Sequence, residues 1–254
     1  MSLKTKLSKN ILTLGSWVTL GHSSVAEIMA KTGGFDWLAI DMEHSVIEMR
    51  DCQELIQAID LCGVAPLVRV MSNNHDNIRK VMDVGAQGVI VPNINTKQDA
   101  MEAVHSVYYP PLGRRGVGLA RAQNYGADFQ SYLEWIQSNA IVIVMIEHID
   151  AVNNLEEIFS VTGVDGFIIG PYDLSASMGF PGEFNKQQVI EAIDKILEVG
   201  KTKGVSGGIH IVDPSVDLLQ YYIEKGFSFI GYGMDIRFLD IMCREHLSKI
   251  ESFK

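Results

Sequence analysis

"IVIVMIE" at 141–147 is an unbroken apolar run that ends on a carboxylate, with no alternation of polar and apolar side chains. A β-branched run of this length, too short for a buried helix, fits a strand covered on both faces. Burial on both faces is the habit of parallel sheets. The same character recurs along the chain: "ILTLGSWV" (11–18), "DWLAID" (36–41), "APLVRV" (65–70), "GVIVPN" (88–93), "GFIIGP" (166–171), "VSGGIHI" (205–211) and "FSFIGYG" (227–233). Amphipathic stretches separate these runs. Several end in glycine, as helix C-caps do, and "DPS" at 213–215 starts one with proline in its first turn.

Eight strands, each followed by a helix, predict a (β/α)8 TIM barrel, with residues 1–254 as one domain. A doubly wound sheet is the alternative. It would bring a glycine-rich fingerprint behind the first strand, and the sequence has none there. The rhythm breaks once, at 110–140 after the fourth helix, in a long loop with a short helix expected around Asp128–Gln137. Loops of that length in compact domains are more often functional than idle.

Composition removes several classes of function. A formal charge of −10 with scattered basic residues leaves no footprint for nucleic acid. Cys52, Cys62 and Cys243 are too few and too irregular for a disulfide framework or a zinc site, and fit thiols in a reducing compartment. The start, "MSLKTKLSKN", lacks the pattern of a signal peptide, and no stretch approaches the ~20 apolar residues of a membrane span. A cytoplasmic protein that meets neither membrane nor nucleic acid is expected.

In a TIM barrel, chemistry gathers where the strands end at their C-termini. Reading only those positions gives Trp17, then Asp41, Glu43 and His44, then Arg69, Pro92 and Asn93, Glu147, Asp173, His210 and Asp235. Carboxylates at that density repel one another unless positive charge compensates them. Arg69 supplies one charge, and a divalent cation is the natural second. An all-oxygen set without cysteine suits Mg²⁺ or Mn²⁺, with Co²⁺ a further option, and no organic cofactor is called for. Glu147 and Asp173, each alone at the end of an adjacent strand, are the preferred ligands. His148 is a poor third, because neighbouring strand residues point to opposite faces. In "IIGPYDLSASMG", Gly170 and Pro171 turn the chain so that Asp173 can enter the mouth. "DLS", with Ser175, then opens a short helix whose N–H groups suit a substrate carboxylate. The competing role for Asp173 is to cap that helix. Every lysine falls on a helix, a helix end or a terminus, so a carbonyl cannot be activated as a Schiff base here, and a metal has to do it.

Taken together, "LAIDMEHS", "PLVRV", "VMDVGAQGVIVPNI", "PPLGRRGVG", "VMIE" and "IIGPYDLSASMG" resemble, in order and over nearly the whole chain, the HpcH/HpaI family of class II, metal-dependent pyruvate aldolases. The resemblance implies reversible cleavage of a 4-hydroxy-2-oxo acid to pyruvate and an aldehyde. It implies Glu147 and Asp173 as metal ligands, His44 as general base with Asp41 as its dyad partner, and Arg69 as stabiliser of the enolate oxygen. It adds Asp83, from "VMDVG", as a support for the histidine that acts across a subunit contact. A homo-oligomer follows, a hexamer or trimer with the last helix exchanged between neighbours. Two positions depart from the family: Met145 stands where Gln is usual and Tyr172 where Ala is usual. Both bear on substrate binding, with Trp17 as a wall and Ser175 beside them. A 2-oxo diacid (oxaloacetate-type) decarboxylase using the same enolate, and a non-catalytic barrel binding 2-oxo acids, are the alternatives. His210 is expected to pack, Glu43 either to act or to tie loops, and Arg115 of "RRGVG" to brace the barrel.

Overall fold

The apolar runs become the staves of a closed barrel: β1 (Thr13–Val18), β2 (Trp37–Asp41), β3 (Ala65–Arg69), β4 (Gly88–Val91), β5 (Ile141–Ile146), β6 (Gly166–Ile169), β7 (Ser206–Ile211) and β8 (Phe229–Met234). All pair in parallel in sequence order, and β8 closes on β1. This is the architecture of a computed structural model that describes residues 1–250; the helical expectation for 251–253 lies outside the described residues. No helix among the described residues is long and apolar enough to cross a membrane.

Two hydrophobic layers follow from strand parity. Alternate residues face the helices and join the larger core, for example Leu38, Ile40, Val68, Val89, Val142 and Val144. The intervening ones fill the barrel: Trp37 and Ala39, Ala65 and Leu67, Ile90, Ile141, Ile143 and Met145, Ile168 and Phe229. Trp37 stacks on Phe229 with ring centroids 4.3 Å apart. The indole fits because position 15 is glycine; a Cβ there would lie 2.0 Å from Trp37 Cδ2.

The helices between strands are α2 (Ser23–Lys31), α3 (Met49–Leu61), α4 (His75–Asp83), α5 (Lys97–Val107), the pair α7 (Ile149–Asn153) and α8 (Leu155–Ile158), the pair α9 (Pro171–Ser177) and α10 (Gln187–Lys203), and α11 (Val216–Lys225). The last is α12 (Asp235–Ile250). The 110–140 segment is not an open loop. It holds a 3-10 turn, Arg121–Gly126, and α6, Phe129–Asn139. Leading from α5 into β5, it lies at the end of the barrel where strands begin, the end that serves stability. Arg115 sits there fully buried. It donates from Nη2 to Asp83 Oδ1 at 2.6 Å and from Nη1 to the Tyr132 hydroxyl at 3.0 Å, which is the bracing role expected of it.

One α-helix was not expected from the sequence: α1 (Leu3–Ser8), ahead of β1. Leu3 and Leu7 join the interior cluster and plug the barrel floor. Lys4 makes an ion pair with Asp165 at 2.9 Å and donates to the Ala140 carbonyl, fixing the plug. Leu7→Ala is therefore expected to cost about 2–4 kcal/mol in urea unfolding, a core-cavity penalty. A loss below about 0.5 kcal/mol, the level of a surface change, would show that α1 does not plug the barrel.

Candidate active site

The parity that fills the barrel also aims its chemistry. Continuing the interior positions one step upward gives Asp41 above Trp37 and Ala39, Arg69 above Ala65 and Leu67, Glu147 above Met145, and His210 above Ser206 and Gly208. Each is the top rung of an otherwise apolar or small-residue ladder.

Asp41, 1% exposed, is held bidentately by Arg69: Nε donates to Oδ1 at 2.9 Å and Nη2 to Oδ2 at 2.6 Å. Oδ1 also accepts the backbone N–H groups of Glu43 (3.0 Å) and His44 (3.2 Å). Burial alone would raise this carboxyl. The Arg69 hydrogen bonds and charge, with the two N–H groups, overcome it and hold the group below the usual carboxylate range. Asp41 thus grips the loop of His44 through its main chain. The expected pairing of Asp41 with the His44 ring is absent, because both carboxylate oxygens are engaged elsewhere. The ring's ionic neighbour is Glu43, whose Oε2 lies 3.8 Å from His44 Nε2 and 3.5 Å from Arg69 Nη1. Glu43 therefore lies between the His44 ring and the Arg69 guanidinium. The His44 side chain itself stands 64% exposed at the rim.

Glu147 is 7% exposed, and its Oε1 accepts the N–H of Asn93 at 2.7 Å. Asn93 takes a left-handed backbone, φ 57°, which asparagine tolerates. Burial, and the charges of Glu43 and Asp173, push the Glu147 carboxyl above its ordinary range despite Asn93 and Arg69. Glu43 is raised as well, first by burial, with Asp41 and Asp173 adding to it against Arg69. Asp173 is in the first turn of α9, exposed, and caps nothing: Gly170 is the N-cap and receives no side-chain bond. Its carboxylate makes no hydrogen bond or ion pair among the described residues.

No three His, Cys, Asp or Glu side chains among the described residues close on one point as a finished metal cage. What exists is a pair, Glu147 and Asp173, with Glu43 acting on both. Oε2 of Glu147 is free, and a Cβ on Gly170 would come within 3.0 Å of it. A buried carboxylate raised by its acidic neighbours, with one oxygen left unbonded beside a glycine, fits a divalent ion that takes part of its shell from substrate and water. His148 points away, as parity requires, and caps α7 by accepting from Asp150 N–H at 3.1 Å.

Other expected residues divide. Trp17 is a wall, with the Arg69 guanidinium over its ring at 4.6 Å. Met145 is buried inside the barrel just below Glu147. Tyr172 is 53% exposed, its ring edge-on to Phe184 at 4.7 Å. Ser175 does not face a substrate: its hydroxyl donates to the Tyr172 carbonyl at 2.9 Å and accepts from Gly182 N–H at 3.1 Å, closing the turn behind α9. Asp83 ends α4 at the opposite end of the barrel, paired with Arg115, and does not reach His44 within one chain. Asp235 ties β8 to β1, accepting from Thr19 N–H (2.7 Å), Thr19 Oγ1 (2.6 Å) and Leu20 N–H (2.7 Å).

His210, expected to pack, does so at the top of β7, with Nε2 3.2 Å from the Gly233 carbonyl. It faces the mouth, half-buried, with its ring 5.2 Å from that of Trp17, and it interacts electrostatically with Arg69 and Asp41. Burial, with Arg69 second among the lowering causes, brings it down to about 4, so it is neutral near pH 7.

A closed parallel barrel with carboxylates, a guanidinium and imidazoles gathered at its strand ends has the layout of an α/β-barrel enzyme. Residues 13–240 match the HpcH/HpaI aldolase/citrate lyase family, and the chain belongs to that family. A 2-keto-3-deoxy-L-rhamnonate aldolase of Escherichia coli O6:K15:H31 is 33% identical over 253 residues, 99% of this chain and 93% of the relative. An HpcH/HpaI aldolase/citrate lyase family protein from Burkholderia cenocepacia J2315 superposes with a TM-score of 0.93 at 33% identity, covering 98% of both chains. The HpcH/HpaI aldolase from Desulfitobacterium hafniense DCB-2 gives a TM-score of 0.90 at 26% identity, over 99% of this chain and 97% of that one. The fold and family expected from the sequence both hold.

Proposed function

We propose that the protein is a carbon–carbon lyase that cleaves a 4-hydroxy-2-oxo acid, of the 2-keto-3-deoxy sugar acid type, to pyruvate and an aldehyde, and catalyses the reverse addition. The observation that carries this is the alignment of Arg69, Glu43, Glu147 and Asp173 around one mouth with His44 at its rim. Glu147 and Asp173 would hold a divalent ion, Mg²⁺ or Mn²⁺ by their oxygen chemistry. Once bound, such an ion supplies Lewis acidity for the 2-oxo acid.

The chain's own groups account for the rest. Arg69, fixed by its fork on Asp41, keeps a guanidinium beside the oxygen that gains charge as the C3–C4 bond breaks, and preorganisation of this kind dominates such reactions. His44, exposed at the rim, takes the proton of the C4 hydroxyl during cleavage and returns it during addition. Glu43, between His44 and Arg69, orients both. The free N–H groups of the first turn of α9 suit the substrate carboxylate.

The protein is proposed to act as a homo-oligomer. Leu239, Met242 and Leu247 stand exposed along α12, whose only buried residue is Asp235, which supports a subunit contact through that helix. Asp83 would join a site only across such a contact. Free Cys52, Cys62 and Cys243 suit the cytoplasm.

Deuterium exchange into the methyl group of pyruvate, without aldehyde, tests the reading. The expected result is exchange that needs Mg²⁺ or Mn²⁺ and stops with chelator, together with cleavage of 2-keto-3-deoxy acids faster than oxaloacetate decarboxylation. Exchange that persists under exhaustive chelation would overturn the metal assignment. Oxaloacetate as the better substrate would overturn the aldolase assignment.

A further inference from the structure

The two carboxylate oxygens of Glu147 have different surroundings. Oε1 accepts from Asn93 N–H at 2.7 Å, while Oε2 is unbonded beside Gly170, where a Cβ would come within 3.0 Å of it. Gly170 is the N-cap of α9, the helix that carries Asp173, so the free oxygen is on the side of the second acidic group. The chain at 92–94 sorts the two. β4 pairs with β5 as far as Val91↔Val144, and Pro92 then has no N–H with which to continue the ladder. The next N–H, that of Asn93, leaves the sheet through a left-handed backbone, φ 57°, and meets Glu147 just beyond the end of β5. Among the described residues, four other than glycine have positive φ, and Asn93 alone stands where a strand ends at the mouth. Pro92 and Ile94 are buried on either side, and Asn154 Nδ2 donates to the Asn95 carbonyl at 2.8 Å, which pins the turn. The Asn93 side chain is exposed and makes no hydrogen bond among the described residues, so its contribution here is conformational.

Left-handed backbone is open to glycine and asparagine and costly for a β-branched residue. Backbone in such sparsely populated regions collects at functional sites, where the surrounding structure holds it in place. A glutamate with both oxygens free would lose side-chain freedom on meeting an ion, whereas one already tied by an oxygen has lost much of it beforehand. We propose, resting on the metal reading of Glu147 and Asp173 above, that Asn93 is a positioning residue: its left-handed main chain ties down Oε1 and so reserves Oε2 for the cation.

The test is Mn²⁺ binding to the purified protein without substrate, followed by isothermal titration calorimetry at a temperature where every variant is folded. Asn93→Val, which disfavours the left-handed backbone, is expected to weaken Kd by about 10–100-fold, the usual effect of losing a partner that orients a ligand. Asn93→Ala should weaken it less. Asn93→Gly restores the conformation without the side chain and should stay within about threefold of wild type. A role in folding alone would lower the unfolding midpoint of Asn93→Val and leave Kd where it was, and that result overturns the proposal. Equal weakening in Asn93→Gly and Asn93→Val also overturns it, by making the asparagine side chain the contributor. Should Asn93→Val not fold, Asn93→Ala takes its place against Asn93→Gly, and equal Kd values in those two overturn the proposal. Glu147→Gln separates the two levels. If wild type binds no Mn²⁺, or Glu147→Gln binds it as tightly, the metal reading fails and the positioning role with it. Where binding depends on Glu147 and ignores position 93, the positioning role alone is wrong.

Discussion

Replacing Arg69 by methionine is expected to lower kcat for cleavage by about 10²–10³, and separately to cost about 3–5 kcal/mol of stability. The two losses have different origins. Arg69 is the partner of Asp41, which is almost wholly buried, and methionine would leave that carboxylate with only the N–H groups of Glu43 and His44. It is also the cation that faces Glu43 at 3.5 Å and acts on Glu147. Combining Arg69→Met with Asp41→Asn should restore much of the stability, because the almost wholly buried Asp41 carboxylate is then no longer left without its partner, while kcat stays low. Arg69→Lys keeps the charge and loses the fork, so partial stability with poor kcat is expected. The Asp41 carboxyl is lowered in the folded protein, so its pair stabilises fully above the unfolded value of about 3.9 and fades as pH falls through the lowered value. The stability gap between wild type and Arg69→Met should therefore be full above about pH 4 and shrink below it. Arg69→Met with wild-type kcat at saturating substrate would reduce Arg69 to a structural role.

The barrel could be read from the sequence because a two-sided strand has no polar face to confuse it. "IVIVMIE" and its counterparts each lie within a few residues of the observed strands. The polar residue at each end is legible for the same reason: Asp41, Arg69 and Glu147 interrupt an apolar run at its last inward position. What stayed hidden depends on contacts that the local pattern does not carry. Leu3 and Leu7 are apolar at an ordinary helical spacing, and only the open floor of a barrel makes them a plug. Ser175 looks available until Gly182, seven residues on, uses its oxygen. The link between Asp41 and the His44 ring fails because Arg69, from the next strand, takes both oxygens. Asp83 cannot be placed from one chain, since α4 delivers it to the far end of the barrel.

Glu147→Gln is expected to abolish turnover, by about 10³-fold or more, and at the same time to make the metal-free protein more stable. Glutamine keeps the acceptor that Asn93 N–H needs and removes a charge. That charge is costly where it stands: it is buried, and Glu43 and Asp173 oppose it with Arg69 as partial compensation. A carboxylate placed there for packing alone would be better replaced by its amide, so a charge at this position fits the proposed role of holding a cation. Thermal unfolding in chelator should thus show a higher midpoint for the variant than for wild type. Adding Mg²⁺ or Mn²⁺ should raise the wild-type midpoint and reverse the order, since an ion that binds only the folded state stabilises it by mass action. A variant that responds to the ion as wild type does would place the ion elsewhere, and the strain on Glu147 would then need another cause.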